Sequence, residues 1–149
     1  MKVFSFLFLS PILCHGLRHP VPPTLELLFS ANLTLGIPID IGLTPFGEKL
    51  IVPITDGAFS GPGLNGKVTI GLVTSLTGSH GTQRADATYV LQTNDGANIV
   101  LTERAIIPYV EILFETGSSK YGWLNNVTAW ATGTESDGLL SLNFWKVSA

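Results

Sequence analysis

Hydrophobic residues in this chain recur with a period of two over most of its length. Between residues 25 and 35, Leu25, Leu27, Phe29, Ala31, Leu33 and Leu35 alternate with Glu26, Ser30, Asn32 and Thr34, and only Leu28 breaks the rule. Successive side chains of an extended strand point to opposite faces, so this segment reads as a half-buried strand with Asn32 facing outward. Further strand candidates span 48–54, 66–76, 84–93, 97–104, 107–116, 121–131 and 138–147. Past the N-terminal region, no window of ten residues keeps a helical period free of Gly, Pro or β-branched clusters, which argues against an amphipathic helix.

The connections carry turn chemistry. Asn94-Asp95-Gly96 lies between two β-rich runs, and Asn and Gly accept positive φ at little cost, so it predicts a hairpin. Gly117-Ser118-Ser119-Lys120 and Glu135-Ser136-Asp137-Gly138 read as the next two, while Gly61-Pro62-Gly63 and Asn65-Gly66 punctuate the first half. Strands this numerous, with no helix to cover a sheet face, leave a sandwich or a barrel. The expected fold is all-β: a single antiparallel β-barrel of about 8–10 strands, calycin- or lipocalin-like in shape.

The N-terminus follows a different pattern. Lys2 precedes an almost wholly apolar run from Val3 to Leu13, Pro11 interrupts it, and small Gly16 follows Cys14 and His15. That order predicts a signal peptide over 1–16 and one barrel domain over 17–149, in a secreted or secretory-pathway protein. The run is about half of the ~20 residues needed to cross a bilayer, so no stable membrane anchor is expected. From Leu17 onward there are 7 Lys and Arg against 11 Asp and Glu, a net charge of −4, with no basic run. Nucleic acid is therefore an unfavoured partner. The one cysteine belongs to the predicted signal. In the secretory compartment, Asn32-Leu33-Thr34 and Asn126-Val127-Thr128 become glycosylation acceptors, with Asn32 the favoured one.

Three segments carry a resemblance. GLTPFGEKLIVPITDGAFSGPGLNGKV (Gly42 to Val68), YVLQTNDGANI (Tyr89 to Ile99) and FETGSSKYGWLNNV (Phe114 to Val127) resemble domain-of-unknown-function family 3237, also called uncharacterised protein family 0311, in a secreted, fungal-type form. The resemblance covers most of residues 25–147 and implies a small antiparallel β-barrel. It implies little about chemistry, because that family is named for lacking an assigned function. The chain departs from the family pattern at two places. A Gly-Gly-Ala-Asp-like segment is replaced by Gly71-Leu72-Val73-Thr74-Ser75-Leu76, and the arginine before the hairpin tyrosine is Thr88. These replacements suit a greasier ligand.

Most catalytic chemistries lack their parts. His15, His19 and His80 have no second ligand at strand spacing, so no metal is expected. There is no Gly-x-Ser-x-Gly elbow, and no helix start to cradle a phosphate. With no thiol, nucleotide motif or flavin signature, no cofactor is expected either. Acid–base work by carboxylates and tyrosines at a barrel mouth remains. Tyr121, Asp86 and Glu103 are the catalytic candidates, and Tyr89, Trp123, Thr88, Thr74, Arg104 and Asn125 the ligand-binding ones. Alternation sets Asp86, Thr88 and Gln92 opposite Ala87, Tyr89 and Leu91 without deciding which face looks inward. An ordinary solvated face for each charge, and core packing for Tyr121 and Trp123, compete with these roles.

The expected function is binding of a small hydrophobic molecule by a cofactor-free, non-redox cyclase, isomerase or lyase, pericyclic steps included, of the kind used in secondary metabolism. A secreted carrier without turnover is the alternative, and a homodimer is left open. Expression in a eukaryotic secretory host should yield protein lacking Met1–Gly16 and carrying glycosidase-sensitive sugar at Asn32. An intact N-terminus, read by mass spectrometry, would overturn the secretory assignment.

Overall fold

The computed structural model describes residues 20–148, so the predicted signal segment lies outside the described residues. Nine strands run β1 Thr24–Leu35, β2 Ile39–Thr44, β3 Gly47–Gly61, β4 Leu64–Thr77, β5 Gln83–Thr93, β6 Asn98–Ile106, β7 Tyr109–Glu115, β8 Thr128–Ser136 and β9 Leu139–Ser148. All neighbours are antiparallel, in the order β1-β9-β8-β7-β6-β5-β4-β3-β2. A further β1–β3 pairing joins the ends into a closed eight-stranded barrel. β3 is long enough to serve two partners along one edge. Its first half pairs with β2 and its second half with β1, leaving β2 as a leaf outside the closed ring.

Tight turns set the register. In the β5–β6 hairpin the Thr93 N–H donates to the Ala97 carbonyl at 2.9 Å, and Gly96 sits at φ 87°, a backbone conformation that glycine adopts without Cβ strain. In the β8–β9 turn, Asp137 (φ 53°) and Gly138 (φ 77°) are both left-handed, as a two-residue primed turn requires.

The interior is more tightly covered at one end than at the other. At the end holding the β3–β4 and β5–β6 turns, Phe29 stacks on Phe144 (4.4 Å between ring centres) and meets Phe59 and Phe114 edge-on at 5.5 and 6.2 Å. Leu64, Val68, Leu91, Ile99 and Leu124 pack around this cluster and are buried. Toward the other end, the inward positions Val73, Ser75, Ala85, Val110 and Leu140 are only half-buried. The barrel therefore has an aromatic floor at one end and a less tightly covered end bordered by the β2–β3, β4–β5, β6–β7 and β8–β9 turns.

Three sequence expectations are corrected. The short strand β2 is absent from the strand candidates. The strand expected over 121–131 begins only at Thr128, because Gly122–Asn126 form a short 3-10 helix started by Tyr121. Tyr121 and Trp123 thus do not share a strand face: Tyr121 is buried and Trp123 is exposed. At the start of β1, a register shift between Leu27 and Phe29 buries Leu28 and turns Leu25 outward, so the inward series starts at Phe29.

Replacing Phe144, which has no exposed surface and touches the centre of the aromatic floor, with Ala should cost about 3–5 kcal/mol of unfolding free energy. Urea denaturation of the Phe144→Ala variant reads this directly, and a loss below about 1 kcal/mol would show that the floor collapses to fill the gap.

Candidate active site

The β5–β6 hairpin brings together two polar groups on the inner face. Register pairs Tyr89 with Leu101 and Ala87 with Glu103, so Tyr89 and Glu103 are diagonal neighbours on one side of the sheet. The Tyr89 hydroxyl donates a hydrogen bond to Glu103 Oε1 at 2.5 Å. Tyr89 is fully buried and Glu103 is half-buried. Their inward neighbours along β5 and β6 are apolar: Ala87, Leu91, Leu101 and Ala105. Gly71 on β4 faces Tyr89 across the ladder, and a Cβ there would collide with the Tyr89 Cβ, so glycine makes room for the ring.

Burial sets the electrostatics of this pair. Burial, reinforced by the Glu103 charge and hydrogen bond, pushes the Tyr89 hydroxyl well above the ordinary tyrosine range, so it remains a proton donor. Burial also raises the Glu103 carboxyl, while the Tyr89 hydrogen bond opposes the rise by favouring the charged form. The result is an acid that keeps its proton to higher pH than a solvated glutamate, with a fixed donor beside it.

The other candidates lie elsewhere. Asp86 and Thr88 are exposed on the outer face of β5, and Thr74, paired with Asp86, is half-buried on the outer face of β4. Arg104 is exposed on the outer face of β6. Of the departures from the family pattern, Thr88 faces outward, whereas the Gly71–Leu76 segment alternates and brings Gly71 against Tyr89. Tyr121 is buried beside the floor, and its hydroxyl lies 3.1 and 3.2 Å from the two Asp95 carboxylate oxygens. Asp95 also takes Lys120 at 2.6 Å and the Thr93 hydroxyl at 2.5 Å, and these partners, Lys120 foremost, lower its pKa to about 2. This is a clamp joining the β5–β6 turn to the 3-10 helix. Asn125 closes the same region with a two-way bond to the Thr116 backbone: its Oδ1 accepts from N–H at 2.8 Å and its Nδ2 donates to C=O at 3.0 Å. Trp123 is exposed on the 3-10 helix. Both glycosylation candidates are exposed: Asn32, whose Oδ1 accepts from Ser141 at 2.8 Å, and Asn126.

Of the nine catalytic and ligand-binding candidates, then, Tyr89 and Glu103 meet inside the barrel. The signal that unites them lies in the turn. A hairpin closed at Asn94-Asp95-Gly96 pairs positions symmetrically about it, and the apolar series Ile99, Leu101, Ala105 marks the inner face.

Comparison with known proteins agrees with this architecture. A family profile described as protein of unknown function DUF3237 matches residues 23–109. A hydroalkoxylation enzyme, phnH of Penicillium herquei, is 48% identical over 128 residues, covering 86% of each chain. A crystal structure of an enzyme from Penicillium herquei superposes with a TM-score of 0.80 at 46% identity, over 88% of this chain and 98% of that one. A β-barrel-like protein of Acinetobacter baumannii superposes with a TM-score of 0.81 at 25% identity, over 89% and 100% of the two chains.

The raised Glu103 carboxyl predicts a pH-dependent stability effect. A carboxyl whose pKa is higher folded than unfolded costs stability once pH exceeds the unfolded value, and costs nothing where both states are protonated. Glu103→Gln keeps an acceptor for Tyr89 and should raise the melting temperature at about pH 7.5, by ~3 °C per kcal/mol recovered, with the gain vanishing near about pH 3. Thermal melts at both pH values test this, and a lower melting temperature at both would show that the carboxylate is net stabilised in place.

Proposed function

The chain belongs to the DUF3237 family of proteins of unknown function, and within that family we propose that it is a hydroalkoxylation enzyme, adding a substrate hydroxyl across an alkene of the same molecule to close a cyclic ether. This is a cyclase reaction without net oxidation or reduction. The observation that carries the reading is the inward Tyr89–Glu103 pair, a carboxyl of raised pKa whose inner neighbours along β5 and β6 are apolar. The 48% identity to a hydroalkoxylation enzyme supports it.

The proton balance closes on one carboxyl. Protonated Glu103 gives its proton to the less substituted alkene carbon, and positive charge develops on the more substituted one. The substrate oxygen captures that carbon, and its proton passes to the Glu103 carboxylate, restoring the acid. Tyr89 stays neutral throughout and holds the carboxylate by its O–H. Apolar walls keep water from competing for the cation and fold the substrate so that oxygen and carbon already touch, which replaces an encounter in solution by a unimolecular step. Once the oxygen has captured the cation its proton is strongly acidic whatever the alcohol, so alkenyl alcohols and alkenyl phenols both fit this cycle.

The test is ring closure of alkenyl phenols followed by chiral chromatography. The enzyme should give one enantiomer in excess, whereas acid alone gives a racemate. Glu103→Gln should lower kcat by about 100-fold or more while ligand affinity survives. Activity should fall as pH rises through the Glu103 pKa. Tyr89→Phe removes the bond that lowers that pKa, so the falling limb should move to higher pH. Ligand bound without product in wild-type protein would favour a carrier instead.

A further inference from the structure

Between the aromatic floor and the strand ends, the inner wall of the ring is aliphatic, alanine or glycine at every position but three, and adjacent strands carry the exceptions. Tyr89 and Glu103 are two of them. The third is Ser75, which shares the inward side of β4 with Gly71 and Val73 and is half-buried. Register places it relative to the acid. Ser75 pairs with Ala85, Ala85 pairs with Ala105, and Ala105 is the next inward residue along β6 after Glu103. Ser75 and Glu103 are thus two strands and two residues apart, about 12 Å between Cα atoms for inter-strand and residue spacings of ~4.8 and ~3.3 Å. The inner side chains between them are Ala85, Ala87 and Ala105, so a smooth shelf joins the two polar groups.

Both ends of this shelf have hydrogen-bonding capacity that the protein leaves unused. The Tyr89 hydroxyl occupies Glu103 Oε1, and no hydrogen bond among the described residues reaches Glu103 Oε2 or Ser75 Oγ. No partly covered residue among those described carries a sealed polar side-chain atom without a partner, so both oxygens keep accessible surface. A half-covered hydroxyl in an apolar wall gains nothing for the fold. Alanine at this position would continue the series Ala85, Ala87 and Ala105 without desolvating a polar group. We propose that Ser75 anchors the substrate by a hydrogen bond to an oxygen on the far side of a flat ring, which lies on the three alanines with its alkene at Glu103. The substrate class this selects is a planar ring bearing a carbonyl or hydroxyl across the ring from its alkenyl chain. A serine hydroxyl donates and accepts, so it takes either group. The placing of the alkene rests on the reaction proposed above, whereas the anchor itself is a matter of binding. Holding the ring at two points fixes which face of the alkene meets the acid, which one contact alone leaves free.

The experiment reads binding and turnover separately with two probes: a phenol carrying an ortho dimethylallyl chain, and the same phenol with an acetyl group para to that chain. Equilibrium dialysis against the wild-type chain should show the acetyl phenol bound about 10-fold more tightly, the gain from one added hydrogen bond. Ser75→Ala should abolish that advantage and leave the affinity of the plain phenol unchanged. Ala85→Leu raises a side chain from the shelf and should weaken both probes by about 10-fold or more. Equal affinity of the two probes for the wild type, an equal loss of both in Ser75→Ala, unchanged binding in Ala85→Leu, or no binding of either probe would overturn the proposal. The wild-type comparison needs no variant, so a misfolded substitution does not rescue it. The expected binding pattern with no cyclised product would sink the reaction and leave the anchor standing, so the two failures are told apart.

Discussion

Every feature of the interior depends on the double pairing of β1, which takes β9 on one edge and the second half of β3 on the other. A strand ladder that closes on itself leaves no free edge in the ring and fixes the shear of the sheet. Once the shear is fixed, the two-residue alternation decides the face of every side chain, because a slip by one residue would exchange the whole inner and outer sets. The β1–β3 pairing that closes the ring carries one register shift, between Thr34 and Leu35, which lets β1 follow β3 to Ile54. Inward Tyr89 and Glu103 follow from this constraint as much as the aromatic floor does.

Much of that constraint is legible in the amino-acid sequence. The alternation of Phe29, Ala31, Leu33 and Leu35, the Asn94-Asp95-Gly96 turn and the Asp137-Gly138 turn are strong local signals, and each describes a single backbone solution. The departures have local causes. β2 is hidden because Ile39–Thr44 lies between Pro38 and Pro45 and contains Gly42 at φ 82°, with a register shift between Asp40 and Gly42 that masks its alternation. The segment after Lys120 imitates a strand by alternating Tyr121, Trp123 and their neighbours, yet a tertiary bond decides it: Asn125 clamps the Thr116 backbone and closes a 3-10 turn.

The site is less legible than the fold for a different reason. Sequence names titratable residues, but only register says which of them share a face. Asp86 and Glu103 look equivalent in the sequence, each a carboxylate in a β-rich run. Their positions differ by parity about one turn, and parity sends Asp86 to solvent and Glu103 to the inner face. Tyr121 resembles a site tyrosine near a strand end, and its hydroxyl is indeed engaged by a carboxylate. That carboxylate belongs to the clamp at the floor end of the barrel.

The two carboxylates that tyrosines touch are displaced in opposite directions, and the contrast separates structure from chemistry. Asp95 gains a lysine and two hydroxyls at the surface, and its pKa falls to about 2. Its charged form is what holds the turn to the 3-10 helix. Glu103 gains one tyrosine and loses solvent, and its pKa rises. A clamp needs a permanent charge, whereas a proton donor needs the opposite. As a packing element Glu103 is a poor choice, since an aliphatic side chain at the same inward position would avoid the desolvation cost and extend the series of Ile99 and Leu101. An inward acid that stability alone disfavours, set among apolar side chains, is the arrangement expected where the protonated form is the useful one.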